Sequence, residues 1–261
     1  MIPSLADALA LHAIGEGAYR AYADPDNEAG TGMFGGWTAA ILLKSVLCDA
    51  RAEGQAASLN VNYVRRIPPK SELTVKCAPL GGSQSVQTWR ADIFVESREA
   101  PSATANIILA NTRDSEGFTE RTPPEAPDPD SLPMMHPPAS FGQHVDMRAW
   151  TIPFGHDHSH SAHWIRARSG HPVDHVLLAY LADAFPPRIF MRSKGFRPSS
   201  TLTLSAYFYA GAEELAAIGD DFILSEAVGT RAAQSLVGAQ LNMWSRSGAL
   251  LATSEQLCWF K

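Results

Sequence analysis

A chain of 261 residues with 27 acidic and 21 basic side chains carries a formal charge of −6. That balance excludes a surface built for nucleic acid, because binding a phosphate backbone needs a clustered basic face. Hydrophobic residues make up 45% and charged residues 18%, enough for one large domain or two modules of about 100 to 150 residues.

The start, Met1-Ile2-Pro3-Ser4-Leu5-Ala6-Asp7, lacks the basic opening and long apolar run of a secretory signal. No apolar run approaches the roughly 20 residues that span a bilayer. Between Leu5 and Tyr22 the apolar spacing fits a helix and an extended chain equally. Asp24 to Gly32 is turn-rich, and Met33-Phe34-Gly35-Gly36 leads into a predicted helix from about Trp37 to Arg51. Ala, Leu, Ile and Val occupy nearly its whole circumference, so it is expected inside the protein. Gly35 and Gly36 just ahead of it permit a ligand or another backbone to approach the first-turn amides.

Strand patterns follow. Leu59, Val61 and Tyr63 alternate with Ser58, Asn60 and Asn62, the period of a half-buried strand. Ile67-Pro68-Pro69-Lys70-Ser71 is a turn. Strands are then predicted over 72–80, 84–96 and 103–111, separated by Gly81-Gly82 and by a turn at Glu99-Ala100-Pro101. Thr122 to Pro138 holds seven of the 18 prolines and little periodicity, which predicts an extended linker, partly polyproline II.

Beyond the linker, 145–152 and 162–168 read as strands. Asp174 is placed to cap a helix running to about Ala184, and Pro186-Pro187 stops it. Four strands follow over 201–209, 222–229, 234–245 and 249–260, with Ser245-Arg246-Ser247-Gly248 as the last hairpin turn. A helix followed by a four-strand meander therefore occurs twice. Local text repeats as well: Leu47-Cys48-Asp49-Ala50 against Leu181-Ala182-Asp183-Ala184, Ser58 to Tyr63 against Thr201 to Ala206, and Gln84-Ser85-Val86 against Gln234-Ser235-Leu236. The offsets of about 134, 143 and 150 residues drift slowly, as loop-length changes between two copies of one module would make them. The expected divisions are 1–118, a linker at 119–143, and 144–261.

An apolar helix can be covered on its flanks by a curved antiparallel sheet, and two such units can pair edge to edge. The expected class is α+β, a double hotdog in which one long curved sheet encloses two central helices.

The chain resembles the acyl-CoA thioesterase II family of double-hotdog enzymes. The likeness rests on Phe34-Gly35-Gly36, on Leu177 through Ala184, on Thr201 through Phe208, and on Gly248 through Gln256. It implies hydrolysis of acyl-coenzyme A without cofactor or metal, by a water held between Asp183, Thr201 and Gln256. Phe34, Gly35, Gly36 and Trp37 are the expected substrate-binding residues. Two departures bear on pocket shape: Thr203-Leu204 stands where the family commonly has Asp-His, and Leu257-Cys258 where it has Glu-Gly. A buried carboxylate can act as general base, while a hydroxyl and an amide orient the water. Oxyanion donors are expected at a helix N-terminus, near Gly36 or Asp174. Asp49 and Ser58 are the expected remnants of the site in the first repeat, with Asn106 near the glutamine position.

Other side chains offer competing readings. His156, His158, His160 and His163 have a spacing that can bind zinc on a strand, but sit in a Gly-, Asp- and Ser-rich stretch that reads as an exposed turn. Arg65, Arg66 and Lys70 fit either coenzyme A phosphates or a solvated turn. Cys48, Cys77 and Cys258 are odd in number and far apart, and are expected as reduced, buried thiols of a cytoplasmic protein. Sheet edges point to self-association, a dimer in the simplest case. Two further functions stay open: a hotdog enoyl-CoA hydratase, for which His171 and His175 are the available histidines, and a non-catalytic acyl-CoA or lipid binder.

Overall fold

The computed structural model describes residues 4–261 apart from positions 31, 97, 114 and 169. Its main element is a 13-stranded sheet. Across the N-terminal half the order is His12–Gly15, Ala18–Tyr22, Glu72–Gly82, Val86–Val95, Ala103–Ala110 and Gln55–Tyr63. The sheet continues through Ser199–Phe208, Leu250–Phe260, Leu236–Trp244, Ile223–Ala233, Ser161–Ala167, Val145–Ala149 and Met134–Met135. Each half therefore places its strands in the same relative order, mirrored about the central pair. That pair is antiparallel, with Leu204 opposite Val61 and Ala206 opposite Leu59.

The ambiguous N-terminal stretch resolves into a short helix, Leu5–Ala8, and two strands. The first central helix spans Gly35–Leu47 and buries ten of its 13 residues. Its one charged side chain, Lys44, reaches out to donate to Leu9 O at 2.7 Å. The second central helix is shorter, His175–Leu181, and is capped by Asp174, whose carboxylate accepts from Leu177 N at 2.7 Å. Both helices lie against the inner sheet face in one apolar core that includes Leu43, Ile107, Leu178 and Leu204. This is the α+β double hotdog expected from the repeated pattern.

The proline-rich segment is not free. Trp164 Nε1 donates to Pro127 O at 2.8 Å, and Arg246 meets Asp128 and Asp130, each at 2.8 Å. Ala126 and Leu132 pack on Ala162, Trp164, Phe222, Leu224 and Trp244. Ile165 and Ile223, the sequence neighbours of Trp164 and Leu224, belong to the main core, so strand alternation puts this cluster on the outer face. The linker thus covers an apolar patch that the second meander would otherwise expose. All three thiols are free, but Cys48 is exposed instead of buried, because the helix ends before it and its residue falls in the turn.

Candidate active site

Asp183 follows the second central helix directly, with Ala182 as C-cap. At the end of its own helix a carboxylate is unfavourably placed for the dipole. The fold reverses that by bringing the N-terminus of the first helix to it. Gly35 lies against the carboxylate, and the backbone N–H groups of Gly36 and Gly35 lower its pKa, so Asp183 takes the anion position at a helix start. Glycine is required here. A Cβ on Gly35 would lie 2.4 Å from Asp183 Oδ2, and one on Gly36 would lie 2.1 Å from Tyr180 O.

Two strands of the second meander complete the ring. Gln256 Nε2 donates to Asp183 Oδ1 at 2.7 Å and to Ala182 O at 3.1 Å. Ser254 Oγ also donates to Ala182 O, at 3.2 Å, pinning the turn that carries the carboxylate. Thr201 Oγ1 donates to Asp183 Oδ1 at 3.4 Å, long against the usual O–H···O distance of about 2.7–2.8 Å. The hydroxyl is therefore only loosely committed to the carboxylate and can turn toward a water.

Thr201 reaches this face through an irregularity. Leu204, Ala206 and Phe208 point inward, and strict alternation from them would send residue 201 outward. A bulge at Leu202 lets Thr201 pair with Cys258 while Thr203 pairs with Leu257, and this restores Thr201 to the inner face. Cys258 is buried and points inward. Its Sγ lies 3.5 Å from Gln256 Oε1 and 3.8 Å from Thr201 Oγ1.

Burial raises the Asp183 carboxyl from its ordinary 3.8 to about 6, and the hydrogen bonds from Gln256, Gly36, Thr201 and Gly35 hold it from going higher. Burial also pushes the Cys258 thiol up to about 12, with Asp183 adding to the effect, so it stays a neutral S–H. Tyr63 donates its hydroxyl to Gly35 O at 2.9 Å, and burial beside Asp183 keeps that hydroxyl protonated.

The predicted trio thus converges, and Gly35 and Gly36 adjoin it. Phe34 is buried, stacked on Phe141 (4.0 Å, 7°) and edge-on to Tyr180 (5.1 Å, 70°). Trp37, the other expected substrate residue, sits in the core. It is fully buried and donates its indole N–H to Ala8 O at 2.8 Å, which makes it a core anchor for the N-terminal helix. The amides of Gly35 and Gly36, expected near an oxyanion, are engaged by Asp183. The expected remnants in the first half are also misassigned. Counted from each helix N-cap, Asp183 lies nine residues past Asp174, and nine past Phe34 is Leu43. The first half has its own bulge between Ala56 and Ser58. Matching the two bulges aligns Ala56 with Thr201 and Ile107 with Gln256. Asn106 is exposed. Asp49 is instead clamped by Arg51, at 2.8 Å from both Nε and Nη2.

The histidines do not converge on one point. His156 donates to Ile152 O, His160 pairs with Glu226 at 3.1 Å, and His163 turns inward to donate to Ala184 O at 3.1 Å. His163, held neutral by burial with its pKa lowered to about 4, supports the turn after Asp183, a role its sequence setting hid. His175 donates to Ala210 O and packs edge-on against Phe208, at the opposite end of its helix from Asp183. Tyr63, Ser254 and Cys258 were also missed as site residues. Their signal was only the inward parity of their strands.

The architecture defines a double hotdog protein. Family models for the acyl-CoA thioesterase N-terminal and C-terminal domains match residues 23–110 and 120–260; the chain belongs to this acyl-CoA thioesterase family and is a thioester hydrolase. Among solved structures, it is similar to a conserved protein of unknown function with a hot dog fold from Alicyclobacillus acidocaldarius, at 27% identity and TM-score 0.93, covering 98% of this chain and 97% of that one. An acyl-CoA thioesterase II, TesB2, from Mycobacterium marinum is 18% identical with TM-score 0.78, covering 99% and 98%. A TesB protein of Mycobacterium avium subsp. paratuberculosis is 18% identical with TM-score 0.80, covering 97% and 96%. No curated protein matches. Among the described residues no helix is long and apolar enough to cross a membrane.

Proposed function

We propose that the protein hydrolyses acyl-coenzyme A by direct attack of a water held by Asp183, Thr201 and Gln256. Asp183 takes a proton from the water as its oxygen bonds to the thioester carbonyl carbon. The C–S bond of the tetrahedral adduct then breaks, and the same carboxyl returns the proton to the departing thiolate. Gln256 fixes the carboxylate, and Thr201 turns the water toward the carbon. No group beyond the chain's own side chains enters these steps.

The observation that carries this reading is the meeting of three side chains, far apart in sequence, around one carboxylate with a raised pKa. The 3.4 Å gap to Thr201 favours water activation over a closed structural network. The reading includes hotdog modules at 1–118 and 144–261 joined by 119–143, a cytoplasmic location and self-association through sheet edges. The test is thiol release from acyl-coenzyme A of several chain lengths by the wild type, Asp183→Asn and Gln256→Ala. Full activity in both variants would remove the mechanism. Loss of an enoyl-coenzyme A without thiol release would favour a hydratase, and binding without turnover a carrier.

A further inference from the structure

The connection that follows the central helix is longer in the second half. In the first half it is 48–54, seven residues between Leu47 and Gln55; in the second it is 182–198, 17 residues between Leu181 and Ser199. The longer connection links two of the candidate site residues, Asp183 and Thr201. Its composition is unlike the rest of an acidic chain. From Ala184 to Ala212 there is no Asp or Glu, while Arg188, Arg192, Lys194 and Arg197 fall within it.

The segment is firmly anchored. Arg188 is buried and donates to Ser159 O (2.7 Å), Ser161 Oγ (2.8 Å), Ala227 O (3.1 Å) and Pro186 O (3.0 Å). Ile189 packs on Val237, Cys258 and Phe260, and Cys258 touches Thr201. From that base the segment presents exposed Arg192 and Lys194, which form no ion pair among the described residues. Phe196 is 71% exposed, and its ring centre is 5.3 Å from that of Phe190. An aromatic face left open beside unpaired cations, on a base anchored through Arg188 and Ile189 next to the reacting centre, matches a ligand with both a base and phosphates.

We propose that residues 184–198 recognise the phosphorylated adenosine end of coenzyme A, with Arg192 and Lys194 meeting its phosphates and Phe196 stacking on its base. This deepens the reading of the substrate above and rests on it. The long connection holds the nucleotide while the thioester enters beside Asp183.

The test compares the wild type with Arg192→Ala/Lys194→Ala and with Phe196→Ala, using calorimetric binding of coenzyme A and of 3′-dephospho-coenzyme A. Turnover of an acyl-coenzyme A and of the matching acyl-N-acetylcysteamine thioester is followed in parallel. We expect the double variant to bind coenzyme A about tenfold more weakly, with KM rising alike and kcat unchanged. Wild-type binding should weaken with added salt. Turnover of the nucleotide-free thioester should be the same in all three proteins. Coenzyme A affinity unchanged by the substitutions, or absent in the wild type, would overturn the proposal. So would an equal KM increase for the nucleotide-free thioester. Binding is read without turnover, so loss of the hydrolytic reading alone would appear as intact, substitution-sensitive binding with no thiol release.

Discussion

Asp183→Asn removes a charge that the fold holds at a cost in stability. The carboxyl has an ordinary value of 3.8 and titrates near 6 in the folded protein, mainly because it is buried. A raised carboxyl means that the folded state binds more protons than the unfolded state between those two values. Stability therefore falls as pH rises through that window and levels off above it. The difference of about 2 pH units corresponds to about 3 kcal/mol, an upper figure because the residue keeps some solvent access. The Asn variant lacks this titration. Urea denaturation from pH 4.5 to 7.5 should show its stability gaining on the wild type by up to about 2 kcal/mol as pH rises, the rest of the change lying below pH 4.5. Over the same range wild-type thioester hydrolysis should rise about tenfold from pH 5 to pH 7, following ionisation of one group near 6, while the variant keeps a small, flat rate. Stability curves that stay parallel across the window would refute the buried, high-pKa carboxylate, and with it the general base.

Gln256→Ala should lower kcat about 100- to 1,000-fold and move the acid limb to higher pH, because it removes the 2.7 Å bond that orients the carboxylate and holds its pKa down. Thr201→Val keeps the shape and removes the hydroxyl; kcat should fall about tenfold or more with KM little changed. Gly35→Ala drives a methyl to within 2.4 Å of Asp183 Oδ2, so turnover should collapse while circular dichroism stays that of the wild type. Cys258→Gly should leave the fold intact but loosen Gln256 Oε1, lowering kcat several-fold in steady-state assays.

Much of the fold was legible because its signals are periodic. The all-round apolar run predicted a central helix over about 37–51, which the structure ends at Leu47, and alternation in the two meanders predicted half-buried strands. The helix at Ala212–Ile218 escaped because it is one short segment with Gly211 as a cap and no side-chain cap bond. At the site, Gln256 sat on the expected strand, while Asp183, expected within a helix running to Ala184, falls just past its end at Leu181. Thr201 reached the inner face only through a bulge, and a bulge leaves no mark in an alternating pattern. Trp37 shows the limit of reading from sequence neighbours. Proximity in sequence to Gly35 and Gly36 implied a ligand role, yet one helical turn aims its indole at Ala8. Tyr63 was invisible as a site residue because its partner, Gly35 O, is brought to it only by the packing of the first helix on the strand Gln55–Tyr63.

The same limit explains why the repeated Leu-x-Asp-Ala text misleads, and Asp49 gives the means to prove it. In the first half the geometric counterparts of the trio are Leu43, Ala56 and Ile107, all buried and apolar, so that half cannot orient a water. Asp49 stands six residues beyond Leu43, and the Arg51 guanidinium pulls its carboxyl below the usual value. A lowered carboxyl contributes stability at neutral pH that is lost as pH falls through its folded value. Asp49→Asn should therefore lower the urea midpoint at pH 7 and approach wild type in acid, the reverse of the slope expected for Asp183→Asn. Its kcat for thioester hydrolysis should stay that of the wild type. If Asp49→Asn instead cost turnover and left stability untouched, the two halves would be functional equivalents, and the assignment of one site to the C-terminal helix would fail.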